Sequence, residues 1–259
     1  MEPNVMLEIA DSIATIRLNR PKAMNAMNRQ LVDELTAILT ALQDDKEVRC
    51  IVLTGNGKAF CAGGDVSHLS ELSEASDFRK FIADVGLLAS AIMKMEKPVI
   101  AMVNGVAAGA GFNLALACDI VICAQTAKFI QSFSKVGLIP DCGGMFLLPR
   151  LVGLQKAKEL MFTADPVDAV MALRLGLVNQ IADDSKLTEE VYKMARKLAE
   201  AAPIALGLTK RIVNRSFDLD LEMALEREAD LQTLCMETQD YKEGIAAFRE
   251  KRQPVFKGC

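Results

Sequence analysis

The stretch PVIAMVNGVAAGAGFNLALACDIVICA, residues 98–124, decides the fold of this chain. Its first apolar run, Val99–Val103, predicts a buried strand that stops at Asn104-Gly105. A corner rich in glycine and alanine follows and leads into a predicted helix at 109–117, and residues 120–123 predict the next strand. Strand, corner, helix and strand in this order are typical of an α/β protein with mostly parallel strands.

The same stretch is apolar enough to suggest a membrane span, but its polar residues argue against one. Asn104, Asn113 and Asp119 interrupt it, and its glycines cluster in the middle. Polar and ionisable side chains are costly inside a bilayer, so we predict no membrane span. Residues 1–4 have neither the basic nor the apolar segment of a signal peptide, so we expect a cytoplasmic protein.

Composition excludes several classes of protein. The chain has 259 residues, of which 51% are hydrophobic and 25% charged, which is a globular balance. A net charge of −4 argues against a nucleic-acid partner, because such proteins carry basic surfaces. Seven cysteines without a C-x-x-C pair, together with a single histidine, predict no metal site and no disulfide framework.

On either side of the opening stretch, the patterns alternate strands with helices and then become purely helical. Before it they predict a β-hairpin, a helix with Asn28 as its N-cap, a buried strand, a loop and a longer helix. The hairpin spans residues 5–18, the helix 28–42, the strand 49–54 and the loop 58–66, and the longer helix continues to about residue 95. After it they predict helices at 143–151, 154–162, 188–201, 203–214, 219–235 and 240–250. We therefore predict an α/β core followed by a helical appendage that serves assembly.

Two glycine-rich corners are the candidate chemical features. The first, Ala62-Gly63-Gly64-Asp65, follows a predicted strand, and the second, 104–111, runs into a predicted helix. Backbone N–H groups that stay unpaired at such corners favour negative charge, and two of them converging on one carbonyl oxygen form an oxyanion hole. Each corner could also be an ordinary turn. A dinucleotide site is disfavoured because Gly109-Ala110-Gly111 does not complete G-x-G-x-x-G.

Six segments, in their order along the chain, resemble the crotonase, or enoyl-CoA hydratase/isomerase, family. They are RPKAMNAM at 20–27, FCAGGD at 60–65, KPVIAMVNG at 97–105, GLIPD at 137–141, LRLGLVN at 173–179 and YKEGIAAF at 241–248. The resemblance implies a crotonase-like spiral of ββα units at 1–186, which carries the thioester site. It also implies a helical C-terminal trimerisation region at 187–259, with trimers often paired into hexamers.

The resemblance also assigns residues to the site. It places the oxyanion donors on the backbone N–H groups of Gly64 and Ala110. Coenzyme A contacts would fall on Lys22, Ala23, Ala62, Gly64, Asp65 and Val66, with Phe248 and Lys251 reaching the nucleotide of a neighbouring subunit. The implied substrate is an acyl-CoA thioester, so that coenzyme A belongs to the substrate and no separate cofactor is expected.

The acid–base residues depart from those of a family hydratase, which uses two glutamates. Here their positions hold Asn113 and Phe133, and neither can take a proton. Asp141 remains, and its place after Pro140 and before a predicted helix is also typical of an N-cap. Residues 133–144 resemble the 1,2-epoxyphenylacetyl-CoA isomerase subgroup, in which this aspartate is the catalytic base.

Other residues near these segments receive plainer predictions. Asp65 is expected to cap or brace its loop, and Cys61 and Cys142 to be small packing residues. A related dehalogenase subgroup uses an aspartate at position 141 as a nucleophile together with a base, usually histidine. The single histidine, His68, is predicted to be a surface residue at a helix start. The candidate acyl-pocket residues are Phe78, Phe81, Leu87 and Phe133.

These observations lead to three hypotheses. The first is an acyl-CoA isomerase that shifts a double bond, or opens a ring epoxide, through a thioester enolate, with Asp141 as base and acid. The second is an enoyl-CoA or dienoyl-CoA hydratase. The third is a catalytically silent protein that binds coenzyme A.

Overall fold

The computed structural model describes residues 2–259, and in that range ten strands form two sheets. The strands are β1 (Val5–Ala10), β2 (Ile13–Leu18), β3 (Cys50–Gly55), β4 (Ala59–Cys61), β5 (Val99–Val103), β6 (Val106–Ala108), β7 (Ile120–Ala124), β8 (Lys128–Ile130), β9 (Val167–Asp168) and β10 (Gln180–Ala182). The larger sheet has the order β1-β2-β3-β5-β7-β10 and the smaller one β4-β6-β8-β9. Pairing is parallel except for β1 with β2 and β8 with β9.

Eleven α-helices lie between and after these strands in residues 2–259. They are α1 (Arg29–Asp44), α2 (Val66–Glu71), α3 (Ala75–Lys94), α4 (Ala110–Leu116), α5 (Gly144–Val152), α6 (Leu154–Thr163), α7 (Ala169–Arg174), α8 (Leu187–Ala199), α9 (Pro203–Val213), α10 (Leu221–Glu237) and α11 (Gln239–Glu250). None of them is long and apolar enough to cross a membrane.

In the middle of the chain, three pairs of successive strands each supply one strand to each sheet, and helices follow each pair. Thus β3 joins the larger sheet and β4 the smaller one before α2 and α3. The pairs β5–β6 and β7–β8 repeat the pattern before α4 and α5. This is the predicted spiral of ββα units. The repeats differ in length because their helical parts differ, and this is why no fixed period is visible in the sequence.

The larger sheet is covered on both faces, which explains its continuous apolar strands. On β3, Ile51 and Leu53 face one core cluster, while Cys50 and Val52 face a second one. Helix α8 covers the second face with a stripe of small and branched residues. On the first face, α1 buries its apolar stripe, and the Asn28 side chain accepts a hydrogen bond from the Leu31 N–H, as predicted for an N-cap.

The short strands differ from the sequence-based expectation. Residues 58–66 were expected to be a loop, yet 59–61 form β4, and the corner at 104–109 contains β6. The predicted long helix ending near residue 95 is two helices, α2 and α3, separated at residues 72–74. Three-residue strands carry no periodic signal, and they exist here because parallel neighbours pair with them.

Candidate active site

The smaller sheet brings three parallel strand ends together. Cys61 of β4 lies opposite Ala107 of β6, and Ala107 lies opposite Phe129 of β8. The carboxyl ends of these strands therefore share one edge, which is where open α/β sheets bind ligands. The residues that follow the strands at this edge include Gly64 and Ala110.

The first corner crosses closely over the second, and Gly63 allows this. Gly63 has a φ of +94°, and a Cβ there would lie 2.8 Å from the Ala108 carbonyl oxygen. The same Cβ position is 3.4 Å from the Ala110 backbone nitrogen. A larger residue at position 63 would therefore separate the two corners, so the glycine brings the Gly64 peptide close to the start of α4.

Both expected oxyanion donors are free to bind a ligand. The Met27 N–H donates to the Gly63 carbonyl (2.7 Å) and the Asp65 N–H donates to the Met27 carbonyl (2.9 Å), which leaves the Gly64 N–H outside this bridge. Ala110 is the first residue of α4, where N–H groups have no intrahelical acceptor. Within residues 2–259, neither N–H donates a hydrogen bond. The pair thus has the polarity that an oxyanion hole needs.

Asp141 lies in the loop before α5 and does not cap that helix. Gly143 occupies the N-cap position, and no side chain caps α5. The alternative interpretation of Asp141 as an N-cap is therefore wrong. Its Oδ1 atom is buried and has no hydrogen-bond partner within the described residues. Burial raises the pKa of the carboxyl group from 3.8 to about 6, although the backbone N–H of Asp141 itself partly opposes this.

The two positions at which glutamates would be expected have other roles. Asn113 is fully buried on α4, and its Nδ2 donates to the Asp141 carbonyl oxygen (2.9 Å). Phe133 is buried, and its Cζ would lie 3.6 Å from a Cβ on Gly109, so its ring lies against the second corner. Asn113 is one helical turn from Ala110, a rise of about 4.5 Å, so the Asp141 main chain lies near the second donor.

The expected coenzyme A contacts divide into two groups. Residues 20–25 lie beside the first corner, because the Ala62 N–H donates to the Met24 carbonyl (3.0 Å) and Arg20 forms an ion pair with Asp65 (2.8 Å). This gathers most of the assigned residues on one surface, namely Lys22, Ala23, Ala62, Gly64, Asp65 and Val66. Phe248 and Lys251, at the end of α11, have no hydrogen bond or ion pair to that surface within residues 2–259. Their cross-subunit role stays a prediction.

Asp65 braces the first corner, as predicted from its sequence position. Its carboxylate caps α2 by accepting from the N–H groups of Ser67 (3.0 Å) and His68 (3.4 Å). Burial acts to raise the pKa of Asp65, but the hydrogen bonds from Arg20 and from these N–H groups hold it below its usual value. Asp65 is therefore a carboxylate with its oxygens already engaged, unlike Asp141.

The prediction that His68 lies on the surface is wrong. It is at the start of α2, as expected, but only 18% of its side chain is exposed. Its ring packs edge-on against Phe81, with 4.9 Å between ring centroids, and its Nε2 atom is buried without a partner in the described residues. The ring that covers His68 belongs to α3. The serines near His68 in the sequence therefore did not indicate that its side chain is partly buried.

Cys61 and Cys142 are buried packing residues, as predicted. Burial raises the pKa of the Cys61 thiol to about 12 and that of the Cys142 thiol in the same direction. The Cys142 thiol donates to the Val85 carbonyl oxygen (3.6 Å) and so joins the Asp141 loop to α3. Of the candidate acyl-pocket residues, Phe81 is buried, whereas Leu87 is 57% exposed.

Sequence reasoning missed two asparagines that brace this edge. Asn25 Nδ2 donates to the carbonyl oxygens of Asn56 (2.9 Å) and Ala59 (2.8 Å), and Asn104 Nδ2 donates to that of Gly57 (3.0 Å). Both side chains satisfy the backbone of the turn between β3 and β4. Asn104 beside Gly105 predicted only a turn, and Asn25 gave no local signal, because the carbonyl groups that both side chains bind are distant in sequence.

Comparisons with known proteins agree with this fold. The profile of the family described as enoyl-CoA hydratase/isomerase matches residues 8–259. The chain is 42% identical over 254 residues to crotonyl-CoA hydratase of Syntrophomonas wolfei, covering 98% of this chain and 97% of that protein. It is 39% identical over 257 residues to 1,2-epoxyphenylacetyl-CoA isomerase of Escherichia coli, covering 98% of each. A crystal structure of enoyl-CoA hydratase from Bacillus anthracis superposes with a TM-score of 0.95 at 34% identity, covering 99% of this chain and 100% of that one.

Proposed function

Because this chain belongs to the enoyl-CoA hydratase/isomerase family, we propose that it is an acyl-CoA isomerase with Asp141 as its base and acid. The observation that carries the isomerase assignment is the contrast between the side chains at positions 113, 133 and 141. Asn113 and Phe133 cannot ionise, whereas Asp141 has a buried, unpartnered oxygen and a pKa of about 6. A group that titrates near neutral pH can both accept and return a proton.

The proposed reaction moves one proton between two carbons of a 3-enoyl thioester. The free N–H groups of Gly64 and Ala110 hold the thioester oxygen as negative charge develops on it. The Asp141 carboxylate removes the proton from C2, which gives a dienolate, and the protonated Asp141 then returns that proton to C4. The product is the 2-enoyl thioester, and no water is consumed. Opening of a ring epoxide would begin from a related thioester enolate.

A hydratase is the second candidate, and the names of the relatives favour it. Two of them are called crotonyl-CoA hydratase and short-chain-enoyl-CoA hydratase, at 42% and 39% identity. Addition of water needs a group that activates the water and a group that protonates the adjacent carbon. Asp141 could fill only one of these roles at a time, so this candidate requires a second group that the Asn113 and Phe133 positions do not supply.

The test compares wild-type protein with Asp141→Asn on 3-enoyl-CoA and 2-enoyl-CoA thioesters. Double-bond isomers, which have equal mass, are separated by chromatography, and hydrated products are recognised by their mass. We expect isomerisation by the wild type and a loss of about 10²–10⁴-fold in Asp141→Asn, the usual contribution of a positioned acid–base group. Affinity for the thioester should stay near the wild-type value, because the Gly64 and Ala110 donors are untouched.

The matched control is Asp168→Asn, the same chemical change at a residue whose carboxylate caps α7 through the Met171 N–H (2.8 Å). It should keep full activity, since asparagine also caps helices. Wild-type isomerisation by Asp141→Asn would contradict the proposed role of Asp141. A product heavier by one water, without isomerisation, would identify the hydratase instead. Binding of acetyl-CoA with no turnover would identify a silent coenzyme A-binding protein.

A further inference from the structure

Two buried amide side chains and the backbone of Asp141, from different parts of the chain, form a linear hydrogen-bond network. Gln131 Nε2 donates to Asn113 Oδ1 (2.7 Å), and Asn113 Nδ2 donates to the Asp141 carbonyl oxygen (2.9 Å). Both amide side chains are buried, with Gln131 1% and Asn113 0% exposed. The network joins the end of β8, the first turn of α4 and the loop before α5.

The network is directional, and each bond depends on the preceding one. The Asn113 amide uses its oxygen on Gln131 and its nitrogen on Asp141, so its orientation is determined at both ends. Gln131 Oε1 has no partner within residues 2–259, although it is buried. A buried polar atom without a partner costs free energy, so the stability of the fold alone does not account for an amide at position 131.

The start of α5 packs against the Asn113 side chain and restricts it to one position. A Cβ added to Gly144, the first residue of α5, would overlap the Asn113 amide. The absence of a side chain at Gly144 therefore lets the start of α5 rest directly on Asn113. The Gly144 N–H donates to the same Asp141 carbonyl oxygen (2.9 Å) that Asn113 binds. Two donors thus converge on one carbonyl group and fix the peptide that follows Asp141.

We propose that Asn113 and Gln131 are positioning residues that hold the Asp141 main chain in place for proton transfer, and this inference rests on the function proposed above. The Asp141 carboxylate has little of its own to hold it, because its Oδ1 atom makes no hydrogen bond in the described residues. Its location is therefore set by its backbone. Displacing a reacting group by about 1 Å can cost about 100-fold in rate, so fixing the carbonyl group matters for turnover.

The test uses Asn113→Leu, Gln131→Leu and the double variant in the full-length protein, with a 3-enoyl-CoA substrate. Asn113→Leu removes both bonds at similar side-chain size, and we expect kcat to fall by about 10- to 100-fold with KM within about two-fold of wild type. Gln131→Leu removes only the distal bond and should lower kcat by a smaller factor. The double variant should match Asn113→Leu, because the two residues act through one path.

Thr15→Val is the matched control for lost stability. Thr15 is buried and its hydroxyl bonds to that of Tyr192 (2.5 Å) on the other face of the larger sheet, so the variant also loses one buried hydrogen bond. It should lower the melting temperature without changing kcat per folded molecule. If Asn113→Leu and Gln131→Leu behave like Thr15→Val, keeping kcat while Asp141→Asn is inactive, the positioning role is wrong and the proposed function stands. If Asp141→Asn is fully active, both proposals are wrong.

Should Asn113→Leu fail to fold, Gln131→Leu alone remains decisive, because it leaves the Asn113–Asp141 bond and the packing of α5 intact. A fall in kcat without a change in KM supports the network. An unchanged kcat contradicts it.

Discussion

At Asp141, one carboxylate oxygen, Oδ1, is buried and has no hydrogen-bond partner within residues 2–259. Its folded-state pKa of about 6 lies above the ordinary value of 3.8. The folded state therefore binds this proton more tightly than the unfolded chain does. The contribution of this group to stability is greatest below about pH 4 and is lost as the pH rises through about 6.

Replacing Asp141 should consequently stabilise the protein at neutral pH. We expect the unfolding free energy of Asp141→Asn, relative to wild type, to increase between about pH 4 and 6 and then level off. A shift of about two pKa units corresponds to at most about 3 kcal/mol, and partial exposure reduces this. Urea unfolding at a series of pH values measures it. Thr15→Val, which changes no charge, should show a constant difference, and a constant difference for Asp141→Asn would contradict a raised pKa.

At Gly64, the chemistry lies in a backbone group, so the test must remove the N–H itself. Gly64→Pro should lower kcat by about 100-fold or more, because one oxyanion donor contributes about 3–4 kcal/mol. Gly64→Ala is the matched control. It keeps the N–H, and its Cβ would meet only the flexible end of Leu69 at 3.2 Å. A folded Gly64→Pro protein, checked by circular dichroism, with near-normal turnover would remove Gly64 from the oxyanion hole.

Among the elements, the shortest strands carry the site. The strands β4, β6 and β8 have three residues each, yet their shared edge places both glycine corners side by side. Strands this short cannot persist alone, since pairing with neighbours supplies their hydrogen bonds. The geometry of the donors therefore depends on the whole smaller sheet and not on either corner by itself.

Helix α10 is a long element that the single chain leaves without a buried residue. None of its 17 residues is buried, although several are large and apolar, including Leu221 at 70% and Leu225 at 54% exposure. A cavity of about 530 Å³ between α9 and α10 is lined by Leu208, Ile212, Leu225 and Leu231, among others. Helices in proteins are stabilised mainly by packing of an apolar face, so α10 is expected to pack against another surface.

At the scale of the whole molecule, this predicts assembly through the C-terminal helices. We expect a trimer or hexamer by light scattering at micromolar concentration, with a second copy of the chain covering α10. Leu221→Asp should shift the protein toward monomer, because burying an unpaired charge in that interface is costly. Ile9→Asp, the same kind of change at a β1 residue that is 46% exposed, should leave the trimer intact. A monomeric wild type would contradict the assembly and the cross-subunit role of Phe248 and Lys251.

Residue order alone was enough to predict five of the six strands of the larger sheet, most of the long helices and the two corners, but not β10. Val99–Val103, the stripe on α1 and the Asn28 cap show local periodicity and capping chemistry, which act between residues close in sequence. Asp141 was also chosen as the candidate base from the sequence, through the resemblance of residues 133–144 to an isomerase subgroup; that same resemblance places the two usual glutamate positions at Asn113 and Phe133, which cannot ionise.

Only the tertiary structure decided which groups surround that base. The hydrogen bonds of Asn113 to Gln131 and to Asp141 span 18 and 28 positions, and the ring that covers His68 belongs to a different helix. Likewise, β4 and β6 become strands by pairing with each other, although they are more than 40 residues apart in sequence. Local sequence patterns report preferences over a few residues. Burial, orphaned polar atoms and pKa shifts arise from segments that meet only when the chain has folded.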